Sequence, residues 1–114
     1  SMLIFIAFVS VAFIANFELF LTYGPQIVGL VAAHNVLALG AGYAAARAAG
    51  LSAADTRSVT IETGIQNSGL GLILIFGFFG GLGGMALVAA FWGVWHAVTG
   101  LALARIWSKR VILP

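Results

Sequence analysis

The sequence predicts an all-α membrane protein of four transmembrane segments, and three observations predict it. The first is composition. Hydrophobic residues make up 62% of the chain, charged residues 7%, and the mean hydropathy is +1.14, whereas a soluble domain carries about 25% charged residues. The second is charge placement: Glu18 is the only charge within residues 1–46, and residues 63–104 have none. The third is length. The second uncharged stretch runs for 42 residues, room for two crossings of about 20 residues each. So few charges exclude both a water-soluble coat and a disordered chain. The absence of cysteine excludes a disulfide framework and thiolate metal sites. Two histidines and three carboxylates make a poor metal cage, and five basic residues are too few for a nucleic-acid partner.

The first segment covers residues 2–23. It is too long, and its start too poor in basic residues, for a secretion signal. Glu18 lies near its outer end, where a charged side chain reaches the interface. The run pauses at Tyr23-Gly24-Pro25-Gln26, and Pro25 suits the first turn of a new helix. The second segment therefore covers 26–47. Ser52, with Asp55 three residues on, forms a helix-start signature, and the third segment covers 57–79. Gly80-Gly81-Leu82-Gly83-Gly84 turns the chain into the fourth, 84–108, where Trp107 reads as an interfacial anchor.

Four crossings place Arg47, Arg57, Arg105, Lys109 and Arg110 on one side. The excess of basic residues on cytoplasmic loops makes that side the cytoplasm. Both chain ends are then cytoplasmic, and the membrane expected is a bacterial inner (plasma) membrane.

The third segment carries the chemistry. Its apolar part, residues 70–79, is too short to cross alone. The polar string Ser58-Val59-Thr60-Ile61-Glu62-Thr63-Gly64-Ile65-Gln66-Asn67-Ser68-Gly69 must therefore lie within the membrane thickness. Ionisable and amide groups at that depth face a cavity, an ion or another helix, never lipid. Two designs place them. A continuous helix puts Glu62 and Gln66 on one face, four residues apart. A broken helix unwinds near Thr63-Gly64 and turns freed carbonyls toward a cation beside the Glu62 carboxylate.

The string Glu62-Thr63-Gly64-Ile65-Gln66-Asn67-Ser68-Gly69-Leu70, preceded by Arg57, resembles the signature of the bile acid:sodium symporter family. His34-Asn35, Gly42-Tyr43, Trp95-His96 and Thr99-Gly100 are similar to it as well. The resemblance covers essentially the whole chain and matches the C-terminal four helices of a protein of ten. It implies a fold of two inverted five-helix repeats, with a panel domain moving against a core that holds two crossing broken helices. The third segment, 57–79, would be one of those broken helices. Residues 1–24 would be a panel-type helix and 25–114 core-type helices. The resemblance further implies a sodium site formed by the side chains of Glu62 and Gln66 and the carbonyls of Thr63 and Ile65. Asn67 and His96 would line the substrate cavity. The coupling ion would be sodium, with no other cofactor, and the partners would be membrane lipid, a small organic anion and the N-terminal repeat that this sequence lacks. Ala97 departs from the bacterial pattern, which often has asparagine there.

Three classes of function follow. The chain is a fragment of a sodium-coupled symporter of an organic anion such as a bile acid or small carboxylate. Alternatively it is a small membrane interaction or scaffold protein, with the polar string as glue between helices and Glu62 paired to Arg57. An embedded enzyme using Glu62 and His96 ranks last, because no nucleophile–base pair or metal cluster supports it. The orientation is directly testable in a protein without native cysteine: Ser52→Cys should react with membrane-impermeant maleimide only from the cytoplasmic side. Labelling from outside would remove the four-crossing arrangement.

Overall fold

The computed structural model describes residues 2–110. Five helices follow one another, α1 (Met2–Ala15), α2 (Phe17–Ala48), α3 (Ala53–Gly64), α4 (Ser68–Phe78) and α5 (Gly83–Ser108), and no strand occurs among the described residues. Three stretches are long and apolar enough to cross a bilayer: Phe17–Ala48, Ala53–Phe78 taking α3 and α4 together, and Gly83–Ser108. Large apolar side chains such as Leu3, Ile14, Phe78 and Leu101 stand exposed along the helices. Water would penalise such surface heavily, and lipid does not. The chain is an integral membrane protein.

The first two segments differ from expectation. The helix does not break at Pro25, which lies inside α2, and α2 is roughly 48 Å long at about 1.5 Å per residue. The break falls at Asn16. Its Nδ2 donates to the Ala12 carbonyl at 2.8 Å, closing the last turn of α1, and its own carbonyl accepts the Phe20 N–H at 3.0 Å, opening α2. One residue thus serves both helix ends. Pro25 removes only one donor, and neighbouring groups in membrane helices commonly absorb that loss. In consequence α1 has 14 residues, about 21 Å, short of the roughly 30 Å hydrocarbon core. The expected first crossing at 2–23 is replaced by a shorter apolar helix.

The chain divides into two compact units, one formed by residues up to Val31 with Asn67–Trp95, the other by Ala32–Gln66 with the residues from His96 on. In the first unit, α1 runs antiparallel to the start of α5: Phe5 lies against Gly93 and Asn16 against Gly83. At Asn16 the chain reverses, and α2 sets Ile27 and Val31 against Leu87 of α5. Phe13 and Phe20 meet edge to face across the reversal, 5.4 Å apart, a geometry worth about 0.5–1.5 kcal/mol beyond burial. Ala12, Leu72, Ile75, Ala86 and Ala90 form the core of this unit, with Phe5, Phe8 and Phe76 packed around them. The glycine turn leads from α4 to α5 as expected. Gly80 and Gly81 have φ of 60° and 68°, a region that side chains with a Cβ avoid.

In the second unit, α3 lies antiparallel to both α2 and α5. Ser52 caps α3, accepting the Asp55 N–H at 3.1 Å. Before it, Gly50 at φ 70° ends α2 with bonds from Gly50 N–H to the Arg47 carbonyl and from Leu51 N–H to the Ala46 carbonyl, the paired pattern of a glycine-terminated helix. Ser58, Thr60 and Thr63 turn their hydroxyls back onto the carbonyls of Ala54, Thr56 and Val59, at 3.2, 2.6 and 2.7 Å. At the far end of α5, the Arg57 guanidinium donates to the Trp107 carbonyl at 3.0 Å and lies 5.8 Å from the centre of its ring. Trp107, expected as an interfacial anchor, is thus the platform for Arg57.

One close helix approach in this unit is at Gly42. A Cβ there would stand 2.7 Å from the Thr63 Cβ and Oγ1 and 3.2 Å from the Val59 carbonyl. Alanine favours the helical state over glycine by about 1 kcal/mol, but overpacking costs about 1–3 kcal/mol, and the Val59 backbone yields little. Gly42→Ala should therefore lower the detergent unfolding midpoint, whereas Gly40→Ala, where nothing lies within 4 Å, should leave it unchanged or raise it.

Candidate functional site

The site forms where α3 ends. A helix continuing past Gly64 would send the Gln66 N–H to the Glu62 carbonyl. Instead Ile65 is extended, at φ −93° and ψ 110°, and its own N–H makes the last helical bond, to Ile61 at 2.9 Å. The Gln66 N–H turns to His96 Nδ1 of α5, at 3.1 Å. The Glu62 carbonyl is left without its helical donor. Residues 65–67 are non-helical, and α4 begins at Ser68, so the interruption starts one residue beyond the expected Thr63-Gly64.

Asn35 of α2 is 1% exposed, and its Nδ2 donates to the Gly64 carbonyl at 3.1 Å. Gly64 makes this possible. A Cβ there would run into the Leu39 side chain, and the bare backbone lets α2 come close. The amide can point only one way, since a carbonyl accepts from –NH2 and not from Oδ1. Asn35 Oδ1 then lies buried with no hydrogen-bond partner, at a cost of about 1–3 kcal/mol. On the other side Gly100 brings α5 against Ile65, whose Cδ1 lies 2.9 Å from where a Cβ would stand.

Each expected site residue has a definite place. Glu62 and Thr63 are exposed and share an open recess with Ser58 and Val59, of about 290 Å³, room for roughly ten waters at about 30 Å³ each. Among the described residues the Glu62 carboxylate makes no ion pair, and Arg57, the partner in the scaffold reading, is engaged by Trp107. Ile65 and Gln66 follow in the extended segment. Asn67 belongs to the other unit, where its Oδ1 caps α4 by accepting the Leu70 N–H at 3.0 Å. His96 is buried and engaged through Nδ1. The structure thus brings Glu62 together with Thr63, and Gln66 with His96. Among the described residues no three His, Cys, Asp or Glu side chains gather, so any cation ligand set here draws on main-chain and amide oxygens. In the sequence Asn35 stood out only as part of the His34-Asn35 pair similar to the family pattern. Its target, a main-chain carbonyl 29 positions away, had no signal in the sequence, and neither did the close contacts at Gly42 and Gly100.

No protein-family model matches the chain, and no solved structure matches it. Three proteins of known name do. The chain is 35% identical over 106 residues to the "Uncharacterized sodium-dependent transporter YocS" of Bacillus subtilis, a match covering 93% of this chain and 32% of that protein. It is 33% identical over 94 residues to the "Probable sodium/metabolite cotransporter BASS1, chloroplastic" of Arabidopsis thaliana, and 34% identical over 94 residues to the protein of the same name in Oryza sativa subsp. japonica. Each plant match covers 82% of this chain and 23% of the relative. The chain therefore spans 23–32% of the length of these relatives. Over that span it belongs to the bile acid:sodium symporter family, the family whose signature its Glu62–Leu70 string resembles.

Proposed function

We propose that this chain is the C-terminal part of a sodium-coupled secondary transporter that carries a small organic anion, such as a bile acid or small carboxylate, in symport. One observation carries the reading: the main chain leaves the helix at residues 65–67, directly after a lone, exposed carboxylate at Glu62. Ionisable groups inside a membrane protein are costly and are kept for function, and interrupted helices that offer freed carbonyls to ions are a recurring transporter device. The printed names of the relatives, sodium-dependent and sodium/metabolite, support the choice of ion.

In this reading the Glu62 carboxylate balances the charge of sodium. The Gln66 side chain and the Thr63 and Ile65 carbonyls complete the set as neutral oxygen ligands. Asn67 and His96 face the substrate. With Nδ1 accepting from Gln66, His96 has Nε2–H left to donate to an anion. Residues 1–24 belong to the panel and 25–114 to the core of a ten-helix inverted-repeat protein, and the N-terminal repeat supplies the remaining ligands. The basic end, with the C-terminus, faces the cytoplasm of a bacterial inner membrane. Coupling follows if sodium and the anion favour the same state of the carrier, since a ligand shifts a conformational equilibrium only by its differential affinity. The scaffold and enzyme readings gain no observation that favours them.

Uptake by the full-length protein in reconstituted vesicles tests this. Glu62→Gln should abolish sodium-dependent uptake while the protein still folds, because a neutral amide is cheaper to bury than a carboxylate. Gln66→Ala should raise the sodium concentration for half-maximal uptake less severely, as it removes one neutral ligand. Arg57→Gln should lower stability by about 1–2 kcal/mol, through the lost cation–π contact and charged hydrogen bond, and leave sodium dependence in place. Wild-type sodium dependence in Glu62→Gln would sink the assignment.

A further inference from the structure

We infer that Asn35 and His96 act together as positioning residues: one takes up the Gly64 carbonyl, the other the Gln66 N–H, and between them they fix the extended Ile65 that separates the sodium ligands. The inference rests on the reading that residues 62–66 hold sodium.

The two bonds bracket a single residue and have opposite polarity. From α2, a side-chain donor meets a main-chain carbonyl, Asn35 Nδ2 to Gly64 at 3.1 Å. From α5, a side-chain acceptor meets a main-chain donor, His96 Nδ1 to the Gln66 N–H at 3.1 Å. Both side chains are buried, at 1% and 6% exposure, and the bond to Gly64 is buried as well, while that from Gln66 is part-buried. A neutral imidazole with its proton on Nε2 is the only form of His96 that can accept at Nδ1. Asn35 makes its bond although its Oδ1 then stays buried and unpartnered. A leucine would fill the same space but could not donate to the Gly64 carbonyl. Asn67 caps α4 with its own side chain, so the following helix starts independently of these two bonds. Loss of either clamp therefore opens the segment to water and scatters the carbonyls of Thr63 and Ile65.

Two isosteric replacements of His96 separate this role from a substrate contact. Asparagine carries Oδ1 on the same Cγ that holds Nδ1, so His96→Asn keeps the acceptor for Gln66. Glutamine places its polar atoms one bond further out, near the Nε2 position, so His96→Gln loses that acceptor and keeps a donor for an anion. In the full-length transporter, His96→Asn should hold the sodium concentration for half-maximal uptake within about threefold of wild type, and His96→Gln should raise it about tenfold or more. Asn35→Leu, which removes the donor and leaves the buried Gly64 carbonyl unpaired, should raise it similarly and also lower thermal stability. Hydrogen exchange, measured without transport, should show the Gln66 amide protected in wild type and His96→Asn, and exchanging at least tenfold faster in His96→Gln. Unchanged exchange in His96→Gln, or equal effects of the two His96 variants on sodium, would overturn the clamp. Faster exchange with unchanged sodium affinity would overturn its positioning role. Should His96→Gln fail to fold, Asn35→Leu decides on sodium affinity alone. The exchange result stands even where Glu62→Gln keeps wild-type sodium dependence, so failure of the sodium reading is told apart from failure of the clamp.

Discussion

A main-chain N–H or C=O in apolar surroundings needs a partner, and the end of α3 is where the helix stops providing one. An unsatisfied group there costs several kcal/mol in lipid. The second unit is arranged around that demand. Helix α2 delivers Asn35 to the Gly64 carbonyl, and α5 delivers His96 to the Gln66 N–H. Close approach is what lets two short side chains reach, and glycine permits it: Gly42 against Thr63, Gly64 against Leu39, Gly100 against Ile65. Small residues at helix contacts serve membrane proteins in just this way, because lipid offers no hydrophobic drive to press helices together.

Charge is divided along α3 with equal economy. All five basic residues fall in the second unit, and Arg57 is held at the end of α5 by the Trp107 carbonyl and ring. Cations stabilise helix C-termini, where unpaired carbonyls carry partial negative charge. That attachment fixes the start of α3 and draws the nearest cation away from Glu62, five residues further on. Glu62 is left facing an open recess that it shares with Ser58, Val59 and Thr63.

How much of this could be read in the sequence depended on how local each signal was. The fourth segment, expected at 84–108, is found at Gly83–Ser108, because a glycine turn ends one helix and starts the next through its own backbone freedom. The Ser52 cap was equally legible, since the hydroxyl and the N–H it serves are three residues apart. The polar string between Ser58 and Gly69 showed that something other than lipid must face it, but left a continuous and a broken helix both open; residues 65–67 are non-helical. Pro25 misled. It is a strong helix breaker in water, but the joint went to Asn16, whose amide closes one turn while its carbonyl opens the next. The partners of Asn35 and His96 lie 29 and 30 positions away and are main-chain atoms, which carry no residue identity for a pattern to reveal.

The hydroxyls of α3 bear on how such a segment enters a membrane at all. Summed residue by residue, Ser58, Thr60 and Thr63 make this helix look reluctant to leave water. Each hydroxyl, however, is bonded to a carbonyl four residues back, in Ala54, Thr56 and Val59, so its hydrogen is already satisfied when water is stripped away. The helix carries its own substitute for solvation, and the desolvation cost of each hydroxyl is largely met before any neighbour arrives. The three hydroxyls thus add less to the cost of inserting α3 than their number suggests, and Asp55, Arg57 and Glu62 carry the rest of its polar load.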